Sequence, residues 1–388
     1  MLSDSGPDWR AALYDDRAFA AEQRRLRQIW TFVGMTSELP RHNDWLRANL
    51  WGQSIFVQNF GGTLRGFKNS CVHRHFPIRT TDRGNGTVQC PFHHWTYDGN
   101  GRLTGIPMSK DLFGTSPKGM DTGLEAVAVE TCGSLIFARL PDSNSQERLA
   151  DFLGPAAPIL ALLSAGAYRP DTALIEMAAN WRLSVHMTLD DYHLVAVHPS
   201  TFGKDGYLKA DLPRYYRFGA HSSYFTEGDE GELHRMSEEC AARLYTPRGY
   251  RIFSIFPNLS VIQVEAMYRW YIAILQHRPL ARDRTAMRAT FFPAPFWRPK
   301  GQLDRITDPL QAPIRALLYR HYFHRILNED KEICERHQTV VGPSRALPRL
   351  GAHEERIAWF EDTYRDLAGH PAAPSLAAVR GKHSFGHF

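Results

Sequence analysis

The sequence of 388 residues lacks the features that mark several broad classes of protein. No uninterrupted apolar run approaches the roughly 18 residues of a membrane span, and residues 1–7 lack the basic and apolar regions of a signal peptide. No block of lysine and arginine and no RNA-binding or zinc-finger pattern occurs, and the formal net charge is only +5. These absences predict a cytoplasmic protein with neither a membrane nor a nucleic acid as its partner.

Cysteine is also scarce, with five residues at positions 71, 90, 132, 240 and 334. Such a number in a chain of this length predicts no disulfide framework of the kind found in small secreted domains. No G-x-G-x-x-G motif follows a predicted strand, so the chain does not carry a nicotinamide-binding domain of its own.

The order of predicted elements divides the chain into two parts. Residues 15–30 resemble an amphipathic helix, and from Trp30 to about Leu140 short strands alternate with turns such as Asp98–Gly101. Residues 141–170, rich in Ala, Pro and Ser, form the boundary. We therefore expect an all-β domain at 31–141 and a larger α+β domain at 142–388, to which the helix within residues 1–30 also belongs.

The second part mixes helices and strands. A helix is predicted over Trp181–His198, since the residue before Pro199 is biased out of the helical region. A long helix from about Pro313 to His337 and a last helix at Glu354–Leu367 follow, and the tail from Pro371 is expected to be loosely ordered. Strands are predicted at Arg251–Ser254, Ser260–Glu265, Tyr268–Gln276 and Thr285–Phe292.

The most informative motif is C-x-H-x16-C-x2-H, formed by Cys71, His73, Cys90 and His93. Two thiolates and two imidazoles on paired loops can hold a [2Fe–2S] cluster of the Rieske type, with the cysteines on one iron and the histidines on the other. A tetrahedral zinc site is the alternative, but zinc sites more often keep like ligands together as C-x2-4-C and H-x3-5-H. The alternating order favours the cluster.

Further motifs resemble one family over nearly the whole chain. The stretch from Cys90 to Asp98 is similar to the second cluster loop of Rieske non-heme iron oxygenases, and Asp190-Asp191-Tyr192-His193 through His198 is similar to their D-x-Y-H-x4-H segment. The resemblance implies a Rieske domain beside a catalytic domain with a helix-grip antiparallel sheet.

The resemblance also implies the residues of a second metal site. His193 and His198 would bind mononuclear Fe(II), and Asp330 in the acidic segment 327–338 would complete a 2-His-1-carboxylate triad. Glu329 is the alternative third ligand. Asp190, rather than Asp191, would link a catalytic histidine to a cluster histidine of a neighbouring subunit. From spacing alone, His321 and His324 would be the more regular helical pair.

The sequence departs from the family at three places. His75 and His94 stand where the family has glycine, which commonly supplies a positive φ or a close backbone approach. Either the histidines adopt the same conformation, or they make the cluster potential depend on pH. His186 lies where a Glu-Asn pair is often found and can be a substitute polar contact.

The implied function is that of a terminal oxygenase. A ferredoxin, a flavin reductase or both would deliver electrons from NAD(P)H, and O₂ would hydroxylate an aromatic or cyclic small molecule. The family also performs N- and O-demethylation, and the length of about 390 residues is similar to that of members that form homotrimers. A different possibility is an electron-transfer or zinc-stabilised binding protein without oxygenase activity.

Overall fold

The protein is described by a computed structural model that covers residues 10–141, 147–165, 171–199, 211, 213–266, 269–295, 302–343, 348–367, 369, 375–376 and 378–386. It divides into a smaller unit, Leu26–Leu149, and a larger unit formed by Met1–Arg25 together with Ala150–Phe388. The divisions therefore fall at 25/26 and 149/150, whereas the sequence placed them at 30/31 and 141/142.

The helices differ widely in length, and none in the described chain is both long and apolar enough for a bilayer crossing. They are α1 (Asp16–Leu26), α2 (Ser109–Phe113), α3 (Leu149–Leu153), α4 (Ala156–Ser164), α5 (Trp181–His186), α6 (Leu194–Val197), α7 (Glu232–Ala241), α8 (Gln302–Gln338) and α9 (Glu355–Leu367).

The smaller unit is made of β-strands in two sheets. Its larger sheet has the order β1-β10-β9-β4-β3-β2-β5, and its smaller sheet has the order β6-β7-β8. The strands are β1 (Thr31–Met35), β2 (Asp44–Leu50), β3 (Gln53–Phe60), β4 (Thr63–Lys68), β5 (Arg83–Asn85), β6 (Val88–Gln89), β7 (Thr96–Tyr97), β8 (Leu103–Gly105), β9 (Ala126–Cys132) and β10 (Leu135–Arg139).

The larger unit contains one sheet with the order β11-β17-β16-β15-β14-β13-β12-β18. All neighbours pair antiparallel except β12 and β18, which are parallel. The strands are β11 (Asp171–Met177), β12 (Arg214–Phe218), β13 (His221–Phe225), β14 (Arg251–Ile255), β15 (Leu259–Ala266), β16 (Arg269–Ala281), β17 (Arg284–Pro293) and β18 (Ser384–Phe385).

The core of the larger unit lies between this sheet and α8. Because side chains alternate across a strand, opposed residues such as Ile262 and Ala273 share one face. That inner face packs against Phe323 and Leu327 of α8 in a single buried apolar cluster. The antiparallel sheet gripped by a long helix, together with an all-β unit, confirms the predicted α+β fold class.

Several predicted elements are corrected. The helix expected over Trp181–His198 is wrong as a single helix, since α5 ends at His186 and α6 begins at Leu194. The long helix begins at Gln302 rather than Pro313, so Pro313 lies inside the helix, where it cannot donate the usual backbone hydrogen bond. In the tail, residues 371–374 lie outside the described residues, whereas Ser384–Phe385 forms the edge strand β18.

Candidate metal centres

Two loops of the smaller unit have the same local structure. In the first, the Cys71 amide donates to the Phe76 carbonyl and the His75 amide donates to the Cys71 carbonyl, at 2.9 and 2.8 Å. In the second, the Cys90 amide donates to the Trp95 carbonyl and the His94 amide to the Cys90 carbonyl, both at 2.9 Å. Each loop is thus a tight turn that starts at a cysteine.

The geometry of this turn explains why related motifs have glycine at the positions of His75 and His94. His75 and His94 occupy the same place in their turns, four residues after the cysteine, and their φ angles are +59° and +57°. Glycine reaches this left-handed region without steric cost, whereas histidine does so at some cost. Both histidines therefore adopt the conformation that glycine would supply.

The four motif side chains come together at the ends of these turns. Cys71 and Cys90 are both 1% exposed, and the Cys71 Sγ lies 3.0 Å from the Tyr97 hydroxyl. The His73 and His93 rings are 4.7 Å apart between centroids, and His73 is stacked on the indole of Trp95 at 4.7 Å and 4°. Trp95 therefore packs against a candidate histidine ligand, and Tyr97 contacts a candidate cysteine ligand. Sequence reasoning singled out neither residue.

The donor set fits a [2Fe–2S] group. Burial raises the pKa of the Cys71 thiol, and the neighbouring Cys90 raises it further. Two adjacent buried thiolates are costly unless cations neutralise them, and an iron pair held by the two cysteines and the two histidines would do so. The alternating ligand order on two matched turns has no counterpart in the usual zinc spacing.

In the larger unit, two histidines lie at the two ends of the short helix α6, with His193 before it and His198 after it. Asn180 caps the start of α5 by accepting a hydrogen bond from the Arg182 amide. After the helix ends, Asp190 Oδ1 accepts from the amides of Tyr192 and His193 at 2.6 and 3.3 Å. Such local side-chain bonds compete with helix formation. The angular separation of about 140° that five residues would impose on one helix does not apply here, because α6 ends at Val197 and His198 has left the helical conformation, with φ −116° and ψ +52°.

Three potential ligand atoms converge between the ends of α6 and the helix α8. Asp330 Oδ1, from α8, lies 2.9 Å from His198 Nε2 and 3.6 Å from His193 Nε2. One ligand atom from each of the three residues lies within 4.8 Å of the others. The side chains are 15%, 1% and 10% exposed for Asp330, His198 and His193, so the group is nearly closed to solvent.

Each histidine also has a carboxylate at its other ring nitrogen. Glu329 Oε2 lies 2.8 Å from His198 Nδ1, and Asp190 Oδ2 lies 3.3 Å from His193 Nδ1. A carboxylate at Nδ1 fixes the tautomer and orientation of an imidazole whose Nε2 faces a metal. Glu329 thus contacts the Nδ1 side of His198, opposite the Nε2 atom that faces the other two potential ligands. The sequence did not predict this role for Glu329.

The charges of the group favour a cation at its centre. Burial would lower the pKa of His193, but Asp190 and Asp330 outweigh it and raise that pKa to about 10. Burial would likewise raise the pKa of Asp330, but His193 and His198 lower it. An environment that stabilises positive charge at two imidazoles and negative charge at one carboxylate also fits a divalent metal ion.

The remaining sequence candidates lie elsewhere. The Asp191 carboxylate accepts a hydrogen bond from the Tyr215 hydroxyl at 2.6 Å, and burial raises its pKa to about 6 although Arg356 opposes this. His186 Nε2 lies 2.7 Å from Glu361 Oε1, so it contacts a structural carboxylate. Within the described chain, His321 and His324 are not part of a group of metal-ligating side chains.

A cavity of about 330 Å³ adjoins the three converging residues. Its walls come from the inner face of the sheet and from α8, and include Tyr224, Ile252, Ile262, Leu275, Phe323 and Leu327. This volume lies at the lower end of the range for small-molecule sites, and the lining is mostly apolar, as in such sites.

Two protein families match the chain. The Rieske [2Fe-2S] domain family matches residues 29–117, and the family described as ring hydroxylating alpha subunit (catalytic domain) matches residues 163–369. The first covers both cysteine-containing turns, and the second covers His193, His198 and Asp330. The cofactors that these families imply are a Rieske cluster and a mononuclear iron used with O₂.

Individual proteins are similar over different parts of the chain. The glycine betaine monooxygenase oxygenase subunit of Chromohalobacter salexigens is 32% identical over 48% of this chain and 41% of its own length. The anthranilate 1,2-dioxygenase large subunit of Acinetobacter baylyi is 29% identical over 44% and 38%. These matches thus span less than half of each relative. The structure of naphthalene 1,2-dioxygenase from Rhodococcus sp. bound to indole shares the fold, with a TM-score of 0.68, 20% identity and coverage of 96% and 97%.

Proposed function

This chain belongs to the ring-hydroxylating alpha-subunit family, and from that membership we propose that it is the terminal oxygenase of a multicomponent Rieske oxygenase. The observation that carries the proposal is the convergence of His193, His198 and Asp330 at an apolar cavity. Two imidazoles and one carboxylate are the ligand set of non-heme Fe(II) enzymes that leave positions open for O₂.

The residues divide the work between two metal centres. Cys71, Cys90, His73 and His93 hold the Rieske cluster, and His193, His198 and Asp330 hold mononuclear Fe(II). When bound, these groups supply single electrons from the cluster and a site for O₂ at Fe(II). Glu329 and Asp190 orient the two imidazoles through their Nδ1 atoms. The apolar walls of the cavity keep water away from the bound substrate.

Asp190 has a second role in this proposal. Its Oδ2 lies 3.3 Å from His193 Nδ1, and its side chain is 17% exposed. The family resemblance implies that this carboxylate bonds a cluster histidine of a neighbouring subunit and thereby joins the two metal centres. The chain would accordingly act as a homotrimer, with a ferredoxin, a flavin reductase or both passing on electrons from NAD(P)H.

We propose that the protein hydroxylates an aromatic or cyclic small molecule with one or both oxygen atoms of O₂. The alternative is oxidative N- or O-demethylation. One relative named above is a monooxygenase subunit and the other a dioxygenase subunit, so similar chains serve more than one reaction type. Release of formaldehyde would identify demethylation, and a hydroxylated ring would identify the first reaction.

The test needs no partner protein. The purified chain should contain iron and acid-labile sulfide in a ratio of about 3:2, from one cluster and one further iron. After chemical reduction and removal of the reductant, exposure to ¹⁸O₂ with a panel of aromatic acids, heterocycles and methylamines should give labelled product. His193→Ala should lose the mononuclear iron and the product but keep the visible absorbance of the cluster. A wild-type protein without this third iron would contradict the proposal.

A further inference from the structure

The turn that carries Asp190 and His193 is shaped by hydrogen bonds between near neighbours. The Asp190 amide donates to the His186 carbonyl at 3.0 Å. The Asp190 carboxylate accepts from the amides of Tyr192 and His193. These bonds define the shape of the turn, but they do not fix its position relative to Asp330 on α8.

Asp191 ties this turn to distant parts of the larger unit. Its amide donates to the His353 carbonyl at 3.2 Å, and its carboxylate accepts from the Tyr215 hydroxyl at 2.6 Å. His353 lies just before α9, and Tyr215 lies in β12. Among the described residues, these two hydrogen bonds are the ones that join residues 190–192 to segments far away in sequence.

Tyr215 is a rigid anchor for this contact. Its side chain is 1% exposed, and β12 is paired on both sides, with β13 and with β18. The Tyr215 ring lies 5.8 Å from that of Tyr224 and 6.4 Å from that of Trp359 between centroids. A side chain packed in this way has little rotational freedom, so its hydroxyl holds the Asp191 carboxylate in one place.

The contact places a carboxylate in the interior, where it is costly unless it is compensated. Asp191 is 8% exposed, and a buried carboxylate without partners is strongly destabilising. The Tyr215 hydroxyl and the positive charge of the buried Arg356 offset this cost. An apolar pair at positions 191 and 215 would avoid the cost altogether, whereas a buried polar pair can fix a single conformation.

We propose that Asp191 is a positioning residue for the mononuclear iron centre. Held by its two distant partners, it fixes the turn so that His193 Nε2 faces Asp330 and the Asp190 carboxylate stays at His193 Nδ1. The inference rests on the iron site of the proposed function and adds a residue to it. In this role Asp191 is not a ligand, and it acts on the iron through the turn.

The test is the affinity of the full chain, with its cluster loaded, for Fe(II), measured anaerobically by chelator competition. Tyr215→Phe removes the hydroxyl but keeps the ring, so it should weaken the affinity about tenfold, the lower end of the effect of partners behind metal ligands. Asp191→Ala should give a similar loss. Asp191→Asn retains an acceptor for the Tyr215 hydroxyl and should stay within about threefold of the wild type. The EPR spectrum of the Fe(II)–nitric oxide complex, which reports on ligand geometry, should broaden in Tyr215→Phe and Asp191→Ala only.

Tyr216→Phe is the matched control, because Tyr216 is the next residue of β12 and its side chain is also fully buried. Its hydroxyl donates to the Asp229 carbonyl at 2.7 Å, on the opposite face of the strand. The variant should lose a comparable amount of stability against denaturant, but its affinity for Fe(II) should stay within about twofold of the wild type.

Three outcomes would overturn the inference. They are an unchanged affinity in Tyr215→Phe, an equal loss in Tyr215→Phe and Tyr216→Phe, and a loss in Asp191→Asn as large as that in Asp191→Ala. If Tyr215→Phe does not fold, Asp191→Ala decides the question in the same way. A wild-type chain that binds no mononuclear iron would instead refute the oxygenase function itself.

Discussion

The assignment of the two neighbouring acids on α8 gives a sharp prediction, because Asp330 and Glu329 lie at opposite nitrogens of one imidazole. Asp330 Oδ1 lies 2.9 Å from His198 Nε2, whereas Glu329 Oε2 lies 2.8 Å from His198 Nδ1. If iron binds at Nε2, then Asp330 is a ligand, and Glu329 fixes the orientation of the His198 imidazole through Nδ1. Asp330→Ala should therefore lose the mononuclear iron, whereas Glu329→Gln should keep it with a lower affinity.

The expected size of the second effect follows from the role of Glu329. Loss of a carboxylate behind a ligating histidine typically weakens metal affinity 10- to 100-fold, or by about 1.4–2.7 kcal/mol. Glutamine retains an acceptor for the Nδ1 proton, so the lower half of this range is expected. Chelator competition followed by iron analysis measures the affinity, and the visible absorbance of the cluster shows that the smaller unit is unaffected.

Glu332 provides the control on the same helix. Its side chain is 62% exposed and, among the described residues, forms an ion pair with Arg336 alone, so Glu332→Gln should leave the iron affinity unchanged. Equal loss of iron from the variants at positions 329 and 330 would refute the distinction between ligand and support. Retention of stoichiometric iron in Asp330→Ala would refute the ligand assignment itself.

Three further predictions concern electron transfer and stability. Asp190→Asn should keep both metal centres but abolish product formation coupled to O₂ uptake, and full coupled activity would contradict the bridging role. Glu361→Gln should destabilise the larger unit by about 3–5 kcal/mol in denaturant unfolding, because it removes the carboxylate that forms an ion pair with the fully buried Arg182; a change below about 1 kcal/mol would contradict this. Burial raises the pKa of Glu22 to about 7 from the ordinary 4.5, so the native state retains a proton that the unfolded chain has lost. Its contribution to stability is present below about pH 4.5 and falls as pH rises towards 7, by up to about 1.4 kcal/mol per pH unit. Glu22→Gln should remove this fall, and identical pH profiles for the variant and the wild type would count against it.

The cluster motif could be read from sequence because its ligands come from two short turns. Within each turn, hydrogen bonds between near neighbours fix the backbone, so C-x-H and C-x2-H describe almost the whole local structure. The strands of the second part were found for a similar reason, since runs such as residues 251–255 and 259–266 are dense in β-branched and aromatic residues. Local chemistry determined these elements.

Other features depend on partners far away in sequence. The break between α5 and α6 arises when Asp190 bonds the amides of Tyr192 and His193, and an apolar pattern across residues 181–198 conceals it. Glu329 reads as one more acid on a charged helix until His198, 131 residues earlier, is placed beside it. Strands such as β11, β12 and β13 were missed because their sequences have weak alternation and are defined by pairing.

The larger unit is built from two separate stretches of the chain, Met1–Arg25 and Ala150–Phe388, and this affects the order in which the two units are completed during synthesis. Glu22 of α1 accepts hydrogen bonds from Trp181 Nε1 and the Tyr364 hydroxyl, at 2.7 and 2.5 Å, so the first helix completes its contacts only when α9 is present. Residues 26–149, in contrast, leave the ribosome as a complete unit more than 200 residues earlier. Since domains fold as units during translation, we expect cluster insertion to precede iron binding on each newly made chain. A shortage of iron late in synthesis would thus leave chains that carry the cluster alone.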